Sequence, residues 1–158
     1  MHTLDEHYLH EAIALARAGM QHGEGGPFGC VIVKDGVVIG RGHNRVLGTK
    51  DPTAHAEVVA IRAACTHLKD FQLTGCTLYA SCEPCPMCLG AIYWARPARV
   101  VFAATRADAA RAGFDDSLIY TELPLPVEAR RLPMQHVHLP EAQAVFAEWL
   151  AKPDKTPY

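Results

Sequence analysis

The sequence predicts an α/β fold of three layers, in which helices cover both faces of a five-stranded mixed sheet. Two β-branched, apolar runs meet at Asp35-Gly36, a strong hairpin signal. Downstream, strand and helix patterns alternate in the order βαβαβ, which favours parallel pairing with helices on both faces. The chain has 158 residues, 49% hydrophobic and 20% charged, as expected of one soluble globular domain with a single core. We therefore read residues 1–158 as one domain.

The elements follow in order. Residues 4 to 22 repeat Tyr8, Leu9, Ala12, Ile13, Leu15 and Ala16 at steps of three and four, the pattern of an amphipathic helix. Gly23-Glu24-Gly25-Gly26-Pro27 breaks it. No Gly-Lys-Ser/Thr follows, so this glycine-rich run is read as a turn that brings backbone close to a pocket, not as a phosphate cradle. Strands are expected at about 28–34 and 37–43, with Asn44 at the end of the second. Residues 45–52 read as a loop, and Asp51-Pro52-Thr53 reads as the start of a helix reaching Leu68. A strand over 76–80 leads to Pro84-Cys85-Pro86, which opens a helix through Ala95 that Arg96-Pro97 ends. A short buried strand is expected over residues 99–104. Residues 105–127 are less regular. A short strand near 134–139, a helix at about 141–151 and a polar tail complete the chain.

The formal net charge of −2 weakens any reading that needs a broad basic face for nucleic acid. No apolar run approaches the ~20 residues of a membrane span, and no signal-peptide pattern opens the chain. Cytoplasm is the expected location. Of six cysteines, Cys82, Cys85 and Cys88 fall within seven residues, which suits metal chemistry in a reducing compartment better than disulfides.

The chemistry gathers in His55-Ala56-Glu57 and Ser81-Cys82-Glu83-Pro84-Cys85-Pro86-Met87-Cys88. Zinc takes thiolate and imidazole ligands in a tetrahedron, and a catalytic site leaves one position to water. Cys85 and Cys88 are three apart at a helix start, where both thiols can point one way. His55 lies in the first turn of the other helix. Two positive helix ends then favour thiolate and hydroxide on one metal. Glu57, two residues from His55, is poorly placed as a further ligand. A carboxylate there can take the proton of a zinc-bound water and pass it to a ring nitrogen and to departing ammonia. A structural zinc site needs no such group. Cys82 reads as a strand-end residue; Cys30, Cys65 and Cys76 read as core. His22, His43, His67, His136 and His138 read as surface or core residues.

His55-Ala56-Glu57 followed by Pro84-Cys85-Pro86-Met87-Cys88 resembles the zinc-dependent cytidine/deoxycytidylate deaminase superfamily, His-x-Glu then Pro-Cys-x-x-Cys. The strand–helix order fits this fold over residues 4–104. Gly25-Gly26-Pro27-Phe28-Gly29, Asn44, Asp51-Pro52-Thr53-Ala54-His55-Ala56-Glu57, Ala91-Ile92-Tyr93-Trp94-Ala95-Arg96 and Ala112-Gly113-Phe114-Asp115-Asp116 resemble the bacterial guanine deaminases within it, as does the C-terminal stretch ending in Tyr158.

That resemblance implies a cytidine deaminase-like fold and a hydrolase of purine catabolism. Zinc-bound hydroxide attacks C2 of guanine, giving xanthine and ammonia, with His55, Cys85 and Cys88 as ligands and Glu57 as proton shuttle. Phe28, Asn44, Ala56, Trp94, Asp116 and Tyr158 are the substrate-binding residues it implies. An aspartate suits the adjacent N–H donors of guanine; whether Asp115 or Asp116 faces them stays open. The resemblance further implies a homodimer in which the C-terminal segment, about 124–158, swaps between subunits. It leaves open whether Tyr158 closes its own site or the partner's. Guanosine deamination and tRNA-specific adenosine deamination are the alternatives, and an amino-triazine or pterin substrate also fits the motif. No nucleic-acid or membrane partner is expected.

Overall fold

The structure is a computed structural model that describes residues 3–158. It divides into two compact units, one ending at Asp116 and one spanning Ser117–Tyr158.

In the first unit, helix α1 (Leu4–Gln21) is followed by strands β1 (Gly29–Lys34) and β2 (Val37–His43). The short helix α2 (Val46–Thr49) then leads to α3 (Ala56–Leu68), β3 (Thr77–Cys82), α4 (Pro86–Ala95), β4 (Arg99–Ala104) and α5 (Arg106–Arg111). Thr3 caps α1 in a reciprocal capping box: its hydroxyl accepts from the Glu6 N–H, and the Glu6 carboxylate accepts from the Thr3 N–H. The β1–β2 turn has positive φ at both central residues, Asp35 (49°) and Gly36 (78°). This matches the right-handed twist of the strands it joins. Lysine and arginine take the left-handed position where α3 and α4 end, at Lys69 and Arg96.

The sheet order is β2-β1-β3-β4. Alternation along β1 separates two cores. Cys30 and Ile32 face a cluster with Ala56, Ala60, Ala64, Leu78, Ala80 and Ile92. Val31 and Val33 face Tyr8, Ala12 and Tyr79. Helices α3 and α4 therefore cover one face and α1 the other, as the alternating pattern requires. Ile32 and Leu78 are fully buried, each contributing about 1.5–3 kcal/mol of hydrophobic transfer.

Two expectations about the sheet are corrected. Among the described residues it has four strands, not five: residues 134–139 form no strand, because the unit that holds them contains no other strand with which to exchange ladder bonds. Parallel pairing is confined to β3 and β4. Strand β1 lies between β2 and β3 and runs antiparallel to both, so the two strands joined through α3 are parallel without being neighbours. Two helix assignments also shift. Residues 46–49 are helical, not loop, and α3 begins at Ala56, after the Asp51 side chain has bonded the Thr53 N–H in a separate turn.

The second unit contains α6 (Ser117–Glu122), a 3₁₀ turn (Val127–Ala129) and α7 (Pro140–Ala151). In α7, Val145, Phe146 and Leu150 are all exposed. Among the described residues, no helix is long and apolar enough to cross a membrane.

Candidate metal centre and active site

The first residue before each of two helices supplies a candidate ligand. His55 is the N-cap of α3, with its carbonyl accepting from the Val59 N–H at 3.0 Å. Cys85 is the N-cap of α4, with its carbonyl accepting from the Leu89 N–H at 2.8 Å and Pro86 occupying the first helical position. Cys88 follows within the first turn of α4 and is fully buried. The loop before α4 is anchored to the next strand, since the Glu83 N–H donates to the Ala104 carbonyl at 2.8 Å.

This arrangement brings both thiols to one atom. Cys85 Sγ and Cys88 Sγ each lie 3.5 Å from His55 Nδ1, and the three ligand atoms all fall within 4.8 Å of one another. Tetrahedral zinc, with Zn–S of about 2.3 Å and Zn–N of about 2.0–2.1 Å, requires sulfur–nitrogen separations of about 3.5 Å. The donor set therefore fits zinc and leaves the fourth position to another ligand. This is the only such His/Cys/Asp/Glu group among the described residues. Cys82 is outside it: its thiol donates to the Thr105 carbonyl at 3.5 Å, and burial pushes it up to about 11.

The electrostatics favour anionic sulfur at this corner. The hydrogen bond from Cys88, helped by His55, lowers the Cys85 thiol to about 4. The same bond and burial push Cys88 up. The Cys85 sulfur in turn raises the His55 imidazole above its ordinary value. Both helix ends add positive potential beside the sulfurs.

Glu57 lies in the first turn of α3, buried, with Oε2 3.4 Å from Cys88 Sγ. Burial raises its carboxyl above the ordinary carboxylate range. A carboxyl so placed can both accept and return a proton. Ala56, between His55 and Glu57, has no accessible surface. Strand β2 admits α3 this closely because it carries glycine there: a Cβ on Gly42 would stand 2.2 Å from the Ala56 carbonyl oxygen.

Three expected substrate residues lie in the same unit on the glycine-rich loop, β2 and the segment after α5. Asn44 is buried at the end of β2. Phe28 packs edge-to-face on Phe114 at 4.9 Å between ring centroids. Asp116 is half-buried, its carboxyl raised mainly by burial and also by the charge on Cys85. Trp94 is 64% exposed on α4, away from the inward stripe of Cys88, Ile92 and Ala95. Tyr158 is exposed in the second unit.

Two residues near the site escaped the reading of the sequence as individuals. Phe114 backs Phe28, and a lone aromatic in a polar segment gives no periodic signal. Ser81 is buried, and its Oγ accepts from the Gly29 N–H at 2.9 Å, continuing the β1–β3 ladder by one side-chain bond. Only the Ser-Cys run before Pro84 hinted at it.

Residues 2–104 match the model for the cytidine and deoxycytidylate deaminase zinc-binding region. The guanine deaminase of Bacillus subtilis (strain 168) is 55% identical over 153 residues, 97% of this chain and 98% of that protein. The X-ray structure of the guanine deaminase from Bacillus subtilis superposes with a TM-score of 0.95 at 55% identity, covering 97% of this chain and 98% of that one. The tRNA-specific adenosine deaminase of Aquifex aeolicus (strain VF5) is 37% identical over 147 residues, 93% of this chain and 94% of that protein. The expected resemblance to bacterial guanine deaminases is borne out.

Proposed function

We propose that this protein, which belongs to the cytidine and deoxycytidylate deaminase zinc-binding family, is a zinc-dependent guanine deaminase that converts guanine and water to xanthine and ammonia. One observation carries the choice of guanine: along nearly the whole chain a guanine deaminase is 55% identical, against 37% for the tRNA-specific adenosine deaminase.

His55, Cys85 and Cys88 would hold the zinc. When bound, the metal lowers the pKa of water toward 7 and so makes a nucleophile available at neutral pH. Glu57 takes the proton of the attacking water, delivers it to a ring nitrogen and then carries the second proton, from the new hydroxyl on C2, to the leaving amino group. A C2–O bond forms, the bond from C2 to the exocyclic nitrogen breaks, and that nitrogen departs as ammonia. The raised pKa of Glu57 suits both halves of this exchange. Asp116 accepts from the N1–H and 2-amino donors of guanine, an edge that adenine does not present. Asn44 donates to the ring, while Phe28 and Trp94 flank it.

The chain acts as one domain in a homodimer, with the C-terminal segment exchanged between subunits and Tyr158 closing a site. The exposed Leu89, Trp94 and Phe102 in the first unit, and Phe146 and Leu150 in the second, support an apolar partner surface. Six cysteines outside any disulfide suit the reducing cytoplasm.

Purified protein assayed for ammonia against guanine, guanosine, cytosine, cytidine and adenine tests this reading. Release from guanine is the expected result. Intact zinc with no guanine turnover rejects it, and turnover of guanosine alone moves the assignment to the nucleoside. Strongly salt-dependent tRNA binding would favour the editing deaminases instead.

A further inference from the structure

Asn44 is held so that it can only donate. Its Oδ1 accepts from the Gly26 N–H at 3.3 Å and from the Val46 N–H at 3.1 Å, occupying both lone pairs. The carboxamide therefore presents Nδ2 alone to a ligand. Its backbone N–H donates to the Phe28 carbonyl at 3.0 Å. The two Oδ1 donors come from different segments, the glycine-rich loop and the start of α2, so the orientation of the amide depends on their separation.

Glu24 bridges the two segments. Its carbonyl accepts from the Leu47 N–H at 3.0 Å and the Gly48 N–H at 2.9 Å. Its carboxylate accepts from His43 Nε2 at 2.5 Å and lies 3.5 Å from Arg45 Nε. His43 and Arg45 are the two neighbours of Asn44 in sequence, so one side chain grips both flanks of the asparagine. The loop lies directly on the amide: a Cβ on Gly25 would come 2.0 Å from Asn44 Oδ1. The Arg45 N–H donates to the Ala54 carbonyl at 2.9 Å, which links the same turn to the residue before His55.

We propose that Glu24 is a positioning residue, fixing Asn44 as a hydrogen-bond donor to an acceptor atom of the purine. The proposal rests on the guanine deaminase reading for its substrate, though not for the structural link. Glu24 touches neither the metal ligands nor Glu57, so its loss should weaken substrate binding and spare the chemical step. Binding lost equally from ground state and transition state raises KM and leaves kcat.

The test uses the full-length, zinc-loaded protein and the variants Glu24→Ala and Glu24→Gln. Amide hydrogen exchange at Gly26 and Val46, which needs no substrate, is measured beside kcat and KM for guanine. In Glu24→Ala, exchange at both amides should quicken about tenfold or more while β3 stays protected. Its KM should rise about tenfold, with kcat within about twofold and zinc content unchanged. Glu24→Gln keeps an oxygen to accept from His43 and should return KM to within about threefold of the original value. Unchanged exchange at Gly26 and Val46 in Glu24→Ala overturns the proposal. So does a fall in kcat at constant KM, or a glutamine variant no better than alanine. If the unaltered protein does not turn over guanine, the functional reading fails and the exchange comparison alone decides the role of Glu24.

Discussion

Cys88 Sγ lies 3.4 Å from Glu57 Oε2, so a candidate metal ligand and the proposed general acid/base are neighbours across the first turns of two different helices. Replacing Glu57 with Gln keeps the volume and removes the proposed proton carrier. This variant should retain zinc while ammonia release from guanine falls about a thousandfold, within the range general acid–base groups supply. Zinc lost along with activity would make Glu57 a structural residue instead.

Zinc removal should act on fold and activity together, because the proposed ligands His55, Cys85 and Cys88, at the starts of α3 and α4, converge only in the folded chain. A ligand held at a thousand times its Kd stabilises by about 4 kcal/mol, so chelation should lower the Tm by about 10 °C. Ammonia release should stop and return when zinc is restored. Scanning calorimetry with a parallel activity assay reads both.

Asp5 pins α1 to the sheet. Its carboxylate accepts from Tyr79 Oη at 2.8 Å and from the Arg99 guanidinium. These bonds hold its carboxyl below the ordinary 3.8. A lowered folded-state pKa gives stability that is present above the unfolded value and lost as pH falls through the folded one. The Tm gap between the unaltered protein and Asp5→Asn should therefore be constant at neutral pH and close below about pH 4. A gap that does not narrow at all between pH 5 and pH 3 would assign it to packing instead of charge.

Gly42 is where β2 and α3 meet. A Cβ there collides with backbone, not with a flexible side chain, so Gly42→Ala should cost about 1–3 kcal/mol in urea unfolding. It should also displace the turn that carries Glu57 and reduce turnover. Gly23, whose Cβ would meet nothing within 4 Å but whose φ is +71°, has no such neighbour to disturb, and Gly23→Ala should lose stability with little effect on rate.

The exposed apolar face of α7 carries Val145, Phe146 and Leu150. If it is a subunit surface, Leu150→Glu should turn a dimer into monomers in sedimentation equilibrium at micromolar protein. An unaltered protein that sediments as a monomer would reject the exchanged segment.

Much of this was legible in local patterns. The turn at Asp35-Gly36, the start of α4 at Pro86 and the ends of β2 and β4 agree with expectation because each depends on a few adjacent residues: turn residues, a proline, an alternation of period two. The miss at 134–139 has the opposite cause. A β-like run becomes a strand only when another strand accepts its hydrogen bonds, and single-chain periodicity carries no information about that partner.

The sequence by itself determined the candidate ligand types, their spacing and the carboxylate beside them, since Cys85 and Cys88 share a helical turn and Glu57 follows His55 by two. Tertiary structure alone decided that residues thirty apart place His55 Nδ1 3.5 Å from both sulfurs, that β1 lies between two parallel strands, and that Glu24 spans the neighbours of Asn44. Those relations join segments far apart in the chain. Each depends on how closely elements can approach, which glycines such as Gly25 and Gly42 control by what they lack.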